Sequence, residues 1–352
     1  MVSSQLAAHG PYGGVVPEIA AREHLRNWTP VFEAACVEAG VAIGDVDVVA
    51  ATRGPGLVGA LLVGLSLGRA VAWSRALPFH GVHHLEGHLF SPFLQADGDP
   101  AEPIDEPFVG LVVSGGHTSL FGVAAQGTGV ETLAETRDDA FGEAFDKLGK
   151  KLGLPYPQGP HLDAIAERGD AAACPLPLAA SPGGELFFSY SGLKSQAILE
   201  LAKRGGPSPA PPSDWPQALI DLCAGFRAAA VKQVLDRVAR LHRRCPISLL
   251  AVSGGAAANR LLRWDLQTWC ASEGVALRLV PLVFSGDNAA MIAYAALLRE
   301  RRGERDDPRW MEAASRIPME LGPGRAARAS VGGGRKNVGG DRPRGEHGPA
   351  AS

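Results

Sequence analysis

Apolar positions recur at helical spacing from about Glu18 to Ala39, where Ile19, Leu25, Trp28, Val31, Phe32 and Ala35 share a stripe and Gly40 closes the run. Tyr12 to Glu18 reads as the turn leading in, and Val46 to Ala51 as a short β-branched strand. Arg53-Gly54-Pro55-Gly56-Leu57 is a tight turn into an apolar helix ending near Ala76. Its longest apolar run, Gly56 to Gly68, stops at Arg69, short of the ~20 residues a membrane span needs, and predicts a buried helix. Val82 opens a helix carrying His84 and His88. The Pro- and acid-rich stretch from Asp97 to Pro107 reads as a boundary between lobes.

Phe108 to Val113 is a continuous apolar strand running into Ser114-Gly115-Gly116-His117-Thr118. Ser248 to Val252 is a second such strand, running into Ser253-Gly254-Gly255-Ala256 and then a helix from Asn259 to Cys270. Between them, Asp138 to Gly153 reads as a helix with acids in its first turn and lysines in its last. Asp163 begins the next helix, and Phe187 to Lys194 is a strand and turn into another. Trp215 to Arg244 is a long amphipathic helix whose basic end (Arg237, Arg240, Arg243, Arg244) reads as a solvated last turn. Val283 to Met291 is a loop with Asp287 at the cap of a final helix that ends near Glu300.

Length and composition fit two lobes with real cores, since the 352 residues are 46% hydrophobic and 20% charged. A net charge of −3 means that any contact with nucleic acid must use a local basic patch. Five scattered cysteines without a C-x-x-C suggest buried thiols in a reducing compartment, and Met1 to Gly14 does not read as a secretory leader. Past about Leu321 the chain turns to Gly, Arg, Pro, Ala and Ser, a basic stretch expected to be disordered.

Three features carry chemistry. His84 and His88 are four apart, on one face of a helix, where two imidazoles can grip one ion; spacing alone leaves a histidine-bearing surface equally open. Glu86 follows His84 by two and projects off that face, so the motif is not the metalloprotease H-E-x-x-H. The repeated strand–Ser-Gly-Gly unit suits a nucleotide between duplicated lobes better than two unrelated turns, because such glycines let backbone N–H groups approach a phosphate. Asp287 is a natural third ligand for the histidine pair, and Asp146 could accept bonds from ribose hydroxyls or simply pair with Lys150.

Taken together, YGGVVPEIAAREH (12–24), RGPGLVGALLVG (53–64), HLEGH (84–88), VSGGHT (113–118), DDAFGEAFDK (138–147), FSYSGLK (188–194), SGGAAANR (253–260) and SGDNAAMIAY (285–294) resemble the universal tRNA threonylcarbamoyladenosine synthesis family, of the bacterial TsaD type. The resemblance implies an α/β, two-lobed actin- and sugar-kinase-like fold. Residues 1–107 would form a first lobe with the metal helix, 108–283 a second with the nucleotide loops, 284–320 a return segment with the closing helix, and 321–352 a basic tail. It implies an acyltransferase that moves threonylcarbamoyl from threonylcarbamoyl-adenylate to N6 of the adenosine 3′ of the anticodon, in tRNAs reading codons that begin with A. By position, His84, His88 and Asp287 would hold one divalent metal per subunit, iron(II) or else zinc. Val113, Ser114, Gly115, Gly116 and His117 would lie against the adenylate, and Asp146, Gly159, Asp163 and Asn259 against its nucleoside. Implied partners are tRNA, a dimerising paralogue and a small ATPase helper, in the cytoplasm and away from any membrane. Lys147, Lys150 and Lys151 are candidate contacts to the tRNA backbone, or a plain solvated face.

There are departures. Family members carry a strand and a first phosphate loop about thirty residues ahead of the YGGVVPE stretch, whereas eleven residues precede Tyr12 here, so the first hairpin is expected to be missing and a sheet edge unpaired. Gln158 stands where the family has Gly. Two other classes compete with the transferase: a metallopeptidase, which lacks its motif here, and an actin-like ATPase or sugar-kinase-like regulatory protein, which would need no paired histidines.

Overall fold

The computed structural model describes residues 1–96, 99–179 and 184–319. A short α1 (Leu6–His9) precedes α2 (Pro17–Ala39). Pro17 sits in the first turn of α2, where no N–H is needed, and Gly40 ends the helix in the left-handed region at φ 64°. Next come β1 (Val49–Gly54), α3 (Val58–Ser74), β2 (Phe79–His83) and α4 (His84–Phe90). β1 and β2 pair in parallel as a two-stranded sheet with α3 as the crossover.

Two expectations need correction here. The strand expected over Val46 to Ala51 lies at Val49–Gly54. Val82 lies inside β2, and the histidine helix starts only at His84. All of Phe79–His83 is buried, and a parallel strand buried on both faces shows no alternation to separate it from a helix.

The second sheet is built from β3 (Phe108–Val113), β4 (Thr118–Val123) and β5 (Val130–Glu135), then, after α5 (Phe141–Lys151), α6 (Gln158–Ala166), α7 (Ser191–Lys203) and α8 (Gln217–Arg244), from β6 (Leu249–Ser253). The chain continues through α9 (Arg260–Glu273), β7 (Ala276–Leu279) and α10 (Ala289–Arg301). The five strands run in the order β5-β4-β3-β6-β7, antiparallel from β5 to β3 and parallel from β3 to β7.

β3 sits at the centre, and its alternate side chains enter two cores. Leu111 and Val113 join the larger one with α5 to α9, and Val112 joins another with Leu85, Leu89, Met291 and Ile292. The histidine helix α4 is therefore pressed with α10 against one face of the sheet, and the glycine loops follow the C-terminal ends of β3 and β6. No helix among the described residues is long and apolar enough to cross a membrane.

Other readings are corrected by packing. Asp138 and Asp139 precede α5 instead of forming its first turn. Asp138 accepts bonds from Tyr190 N (2.8 Å), Ser191 N (3.2 Å) and Ser189 Oγ, and Asp139 pairs with Lys147 and Lys194, so the two acids tie β5 to the start of α7. Asp163 lies within α6 and does not begin it. Arg237 is not solvated: it is 1% exposed, donating Nε to the Phe187 carbonyl at 2.7 Å and Nη2 to the Ala179 carbonyl at 3.0 Å, with Asp236 beside it. The expectation for 321–352 lies outside the described residues.

Candidate metal centre and substrate loops

β2 delivers His84 directly into the first turn of α4, and one helical turn later His88 follows on the same face. Their rings meet edge to face at 4.8 Å. Asp287 comes from the loop before α10. It is not the cap, as the sequence suggested; Asn288 is, accepting from Met291 N at 2.8 Å. Relieved of capping, Asp287 turns to the histidines, with Oδ1 3.1 Å from His88 Nε2 and 3.5 Å from His84 Nε2.

Gly87 allows this meeting. A Cβ there would stand 2.9 Å from Ile292 Cδ1 and 3.0 Å from Met291 Cγ, so a larger residue would push these side chains of α10 aside, and glycine lets the two helices meet without that shift. Ligands bound to one ion at about 2.1 Å lie roughly 3.0–3.4 Å apart at octahedral or tetrahedral angles. The His88–Asp287 distance lies in that span and the His84–Asp287 distance of 3.5 Å just beyond it, and all three donor atoms fall within 4.8 Å of one another. Two imidazoles and a carboxylate suit a borderline divalent ion.

Protonation states agree with ligation. Burial lowers the pKa of His84, partly offset by Asp287, so its imidazole is neutral at pH 7. Burial would raise Asp287, but the bond from His88 and the charges of His84, His88 and His117 hold it below the usual carboxylate range. The Asp287 side chain is 76% exposed, so this is the desolvation of a cleft mouth and not of a core. Burial, helped by the neighbouring histidines, brings His117 down to about 4.

The first Ser-Gly-Gly loop faces this cluster. Ser114 N donates to the His117 carbonyl at 2.8 Å and Ser114 Oγ accepts from His117 N at 3.1 Å, which closes a tight turn and brings the His117 ring 6.5 Å from that of His84. Nothing lies within 4 Å of a Cβ built on Gly115 or Gly116, so both present open backbone. A cavity of about 1260 Å³ is lined by His84, Asp287, Ser114, Gly115, Gly116 and His117 together with apolar groups of α2, β1 and α3. Val113 is buried behind the loop, where its carbonyl would lie 2.2 Å from a Cβ on Gly254 (φ 96°), so the two Ser-Gly-Gly units abut.

The remaining candidates form two pairs away from that lining. Asp146 accepts from Gly159 N at 2.7 Å, and burial raises its pKa. The Asp146–Lys150 pair is absent among the described ion pairs; Lys150 instead reaches the Gly13 carbonyl at 3.4 Å. Asn259 caps α9 through Leu262 N at 2.9 Å and donates Nδ2 to Asp163 Oδ1 at 2.6 Å. Burial raises Asp163, against the pull of Arg227. Lys147 is held by Asp139 and Glu143.

The family model for TsaD, tRNA N6-adenosine threonylcarbamoyltransferase, matches residues 1–294. The chain belongs to this family. A tRNA N6-adenosine threonylcarbamoyltransferase of Sorangium cellulosum is 46% identical over 313 residues, covering 87% of this chain and 86% of its own. One of Variovorax paradoxus is 47% identical over 300 residues, covering 85% and 82%. Among solved structures, HypF of T. kodakarensis shares the two-lobed actin/sugar-kinase-like fold at TM-score 0.52 and 14% identity, over 75% of this chain and 42% of that one. A full-length HypF in a phosphate- and nucleotide-bound form gives 0.53 at 14% identity, over 73% and 39%. The family places the chain among acyltransferases that modify tRNA, and the peptidase and regulatory readings are not favoured.

Sequence reasoning passed over His83 beside the centre, and it read Glu86 as pointing off the metal face without foreseeing its burial. His83 caps α4: its Nδ1 accepts from Leu85 N at 3.1 Å, and burial brings its pKa down to about 4. Glu86 is wholly buried on the opposite side of α4, with neither carboxyl oxygen hydrogen-bonded. A histidine before a helix and an acid inside an apolar run were the available signals.

Proposed function

We propose that the chain transfers the threonylcarbamoyl group of threonylcarbamoyl-adenylate to N6 of the adenosine 3′ of the anticodon, in tRNAs reading codons that begin with A, releasing AMP. The reading is carried by one observation: His84, His88 and Asp287 converge, and two of them, His84 and Asp287, line the same cavity as the open Ser114–His117 turn.

The donor is a mixed carbamic–phosphoric anhydride and is already activated. The N6 lone pair forms the new C–N bond, the C–O bond to phosphate breaks, and AMP leaves with that electron pair while the amine sheds a proton. No covalent nucleophile from the protein is required. His84, His88 and Asp287 would hold one divalent ion per subunit, iron(II) before zinc, and when bound it supplies a Lewis acid for the donor's oxygens. Gly115 and Gly116 are exposed and leave open space where a side chain would stand, so the backbone of this turn is suited to approach a phosphate or carbamoyl oxygen with N–H donors that need not reorient during reaction. His117, neutral at pH 7, can donate a hydrogen bond to the same oxygens without adding charge. Val113 backs this turn.

Asp146 with Gly159, and Asp163 with Asn259, are the acceptors and donors assigned to the nucleoside; each acid is now satisfied internally and would exchange or share that bond with a hydroxyl. Lys150 and Lys151 at the end of α5 are assigned to the tRNA backbone. A dimerising paralogue and a small ATPase helper complete the assembly, in the cytoplasm. The test is nucleoside analysis of tRNA from a strain depleted of its own enzyme and carrying this chain. Restoration of N6-threonylcarbamoyladenosine supports the reading; its absence despite soluble, folded protein overturns it.

A further inference from the structure

The first residue of the metal helix is held by a neighbour that is not itself a ligand. His83 is 6% exposed and ends β2. Its Nδ1 lies 3.1 Å from the Leu85 amide, and its Nε2 lies 3.1 Å from the Ile317 carbonyl. An amide can only donate and a carbonyl can only accept. Both bonds exist together in one form alone: neutral, with the proton on Nε2 and the lone pair on Nδ1.

The Ile317 carbonyl belongs to the segment after α10, outside the family-matched span, and that segment is itself pinned to the first sheet. Asp306 N donates to the Phe79 carbonyl at 3.2 Å, and Asp306 Oδ2 accepts from Gly81 N at 2.9 Å. Arg69 holds the Met311 carbonyl at 3.1 Å and the Arg309 carbonyl at 2.9 Å. Ala314 N donates to the Arg53 carbonyl at 3.0 Å. At Gly54 (φ 150°) a Cβ would meet the Ala314 carbonyl at 2.2 Å, so the chain passes here at glycine-only distance. The strap is thus fixed along its length before it reaches His83.

We propose that His83 is a positioning residue for the metal centre: a tautomer-locked cap that hangs the helix bearing His84 and His88 on the backbone of residues 306–319. His84 follows His83 directly, and α4 has only seven residues, so freedom at the cap becomes displacement of a ligand ring. Partners of this kind behind metal ligands typically change affinity by about 10–100-fold when removed. The inference rests on the metal reading given above.

The test uses the full chain and Co(II) as the probe, with affinity read from its ligand-field absorption. Replacing His83→Ala should weaken Co(II) binding by roughly tenfold, the low end of that range, at a metal-free thermal midpoint within a few degrees of the unmodified chain. His83→Asn, which can still cap, should recover most of the loss. Long-range 15N–1H correlation of the unmodified chain should find His83 protonated at Nε2 in both metal-free and metal-loaded protein; this readout stands even if the alanine variant fails to fold. Unchanged Co(II) affinity in His83→Ala, or a proton on Nδ1, overturns the inference alone. Failure of the unmodified chain to take up Co(II) overturns the metal reading and this inference with it.

Discussion

Replacing Glu86 with Gln should stabilise the metal-free protein at neutral pH while changing it little in acid. Glu86 is 0% exposed, and neither oxygen has a hydrogen-bond partner; the His83 backbone comes near without meeting bonding geometry. Burial pushes its pKa up from 4.5 to about 7, with Arg299 and Arg302 pulling the other way and losing. The folded protein therefore keeps the proton up to about pH 7, while the unfolded chain sheds it near 4.5. Stability from this group is fully present below 4.5 and is lost as pH rises through about 7. At about 1.4 kcal/mol per pH unit, that gap amounts to roughly 3 kcal/mol, of which roughly 2–3 kcal/mol falls between pH 5 and 8. Gln does not titrate, so the variant escapes the loss. Urea unfolding of both proteins at several pH values, with chelator present, measures it. Every other titrating group is common to both, so only Glu86 survives in the difference. A difference that stays constant with pH, within about 0.5 kcal/mol, would refute the reasoning.

The other predictions are more local. In the Glu86→Gln background, His83 and His117, each brought down to about 4 from 6.5, should give the opposite limb: stability fully present above 6.5 and falling as pH drops toward 4, visible in the same titration. Gly254→Ala should cost about 3 kcal/mol or more by denaturant midpoint, since φ is 96° and the new Cβ would lie 2.2 Å from the Val113 carbonyl; Gly255→Ala, with open space around it, should cost under about 1 kcal/mol. Metal at one hundred times its Kd should stabilise the unmodified chain by about 2.7 kcal/mol. Asp287→Asn should abolish most of that gain and lower the metal-free midpoint only slightly, through loss of the carboxylate's interaction with the histidines, as differential scanning calorimetry would report.

Much of the site was legible because helical geometry is strict. Once His84 and His88 lie on a helix, their shared face follows from spacing, and the Ser-Gly-Gly turns follow from apolar strands that end in glycine. What was not legible depends on partners distant in the chain. Asp287 and Asn288 are both good caps, and only the position of α4 decides that Asn288 takes the cap and Asp287 the histidines. Arg237 looked like surface charge until the Phe187 and Ala179 carbonyls gave it somewhere to be buried. β2 hid inside a run buried on all sides, and β7 is a short strand with little alternation of its own. Asp138 looked like a dipole-complementing acid, yet it faces the chain at 189–191.

The central claim is that the metal-ligand cluster opens, through His84 and Asp287, into the cavity lined by the loop that receives the activated donor. Transfer from isotopically labelled threonylcarbamoyl-adenylate to unmodified tRNA, with helper proteins present, tests it most directly. The unmodified chain should form labelled N6-threonylcarbamoyladenosine in step with AMP release, and His88→Ala and Asp287→Asn should lose both together. Transfer that persists undiminished in the two variants would contradict the account.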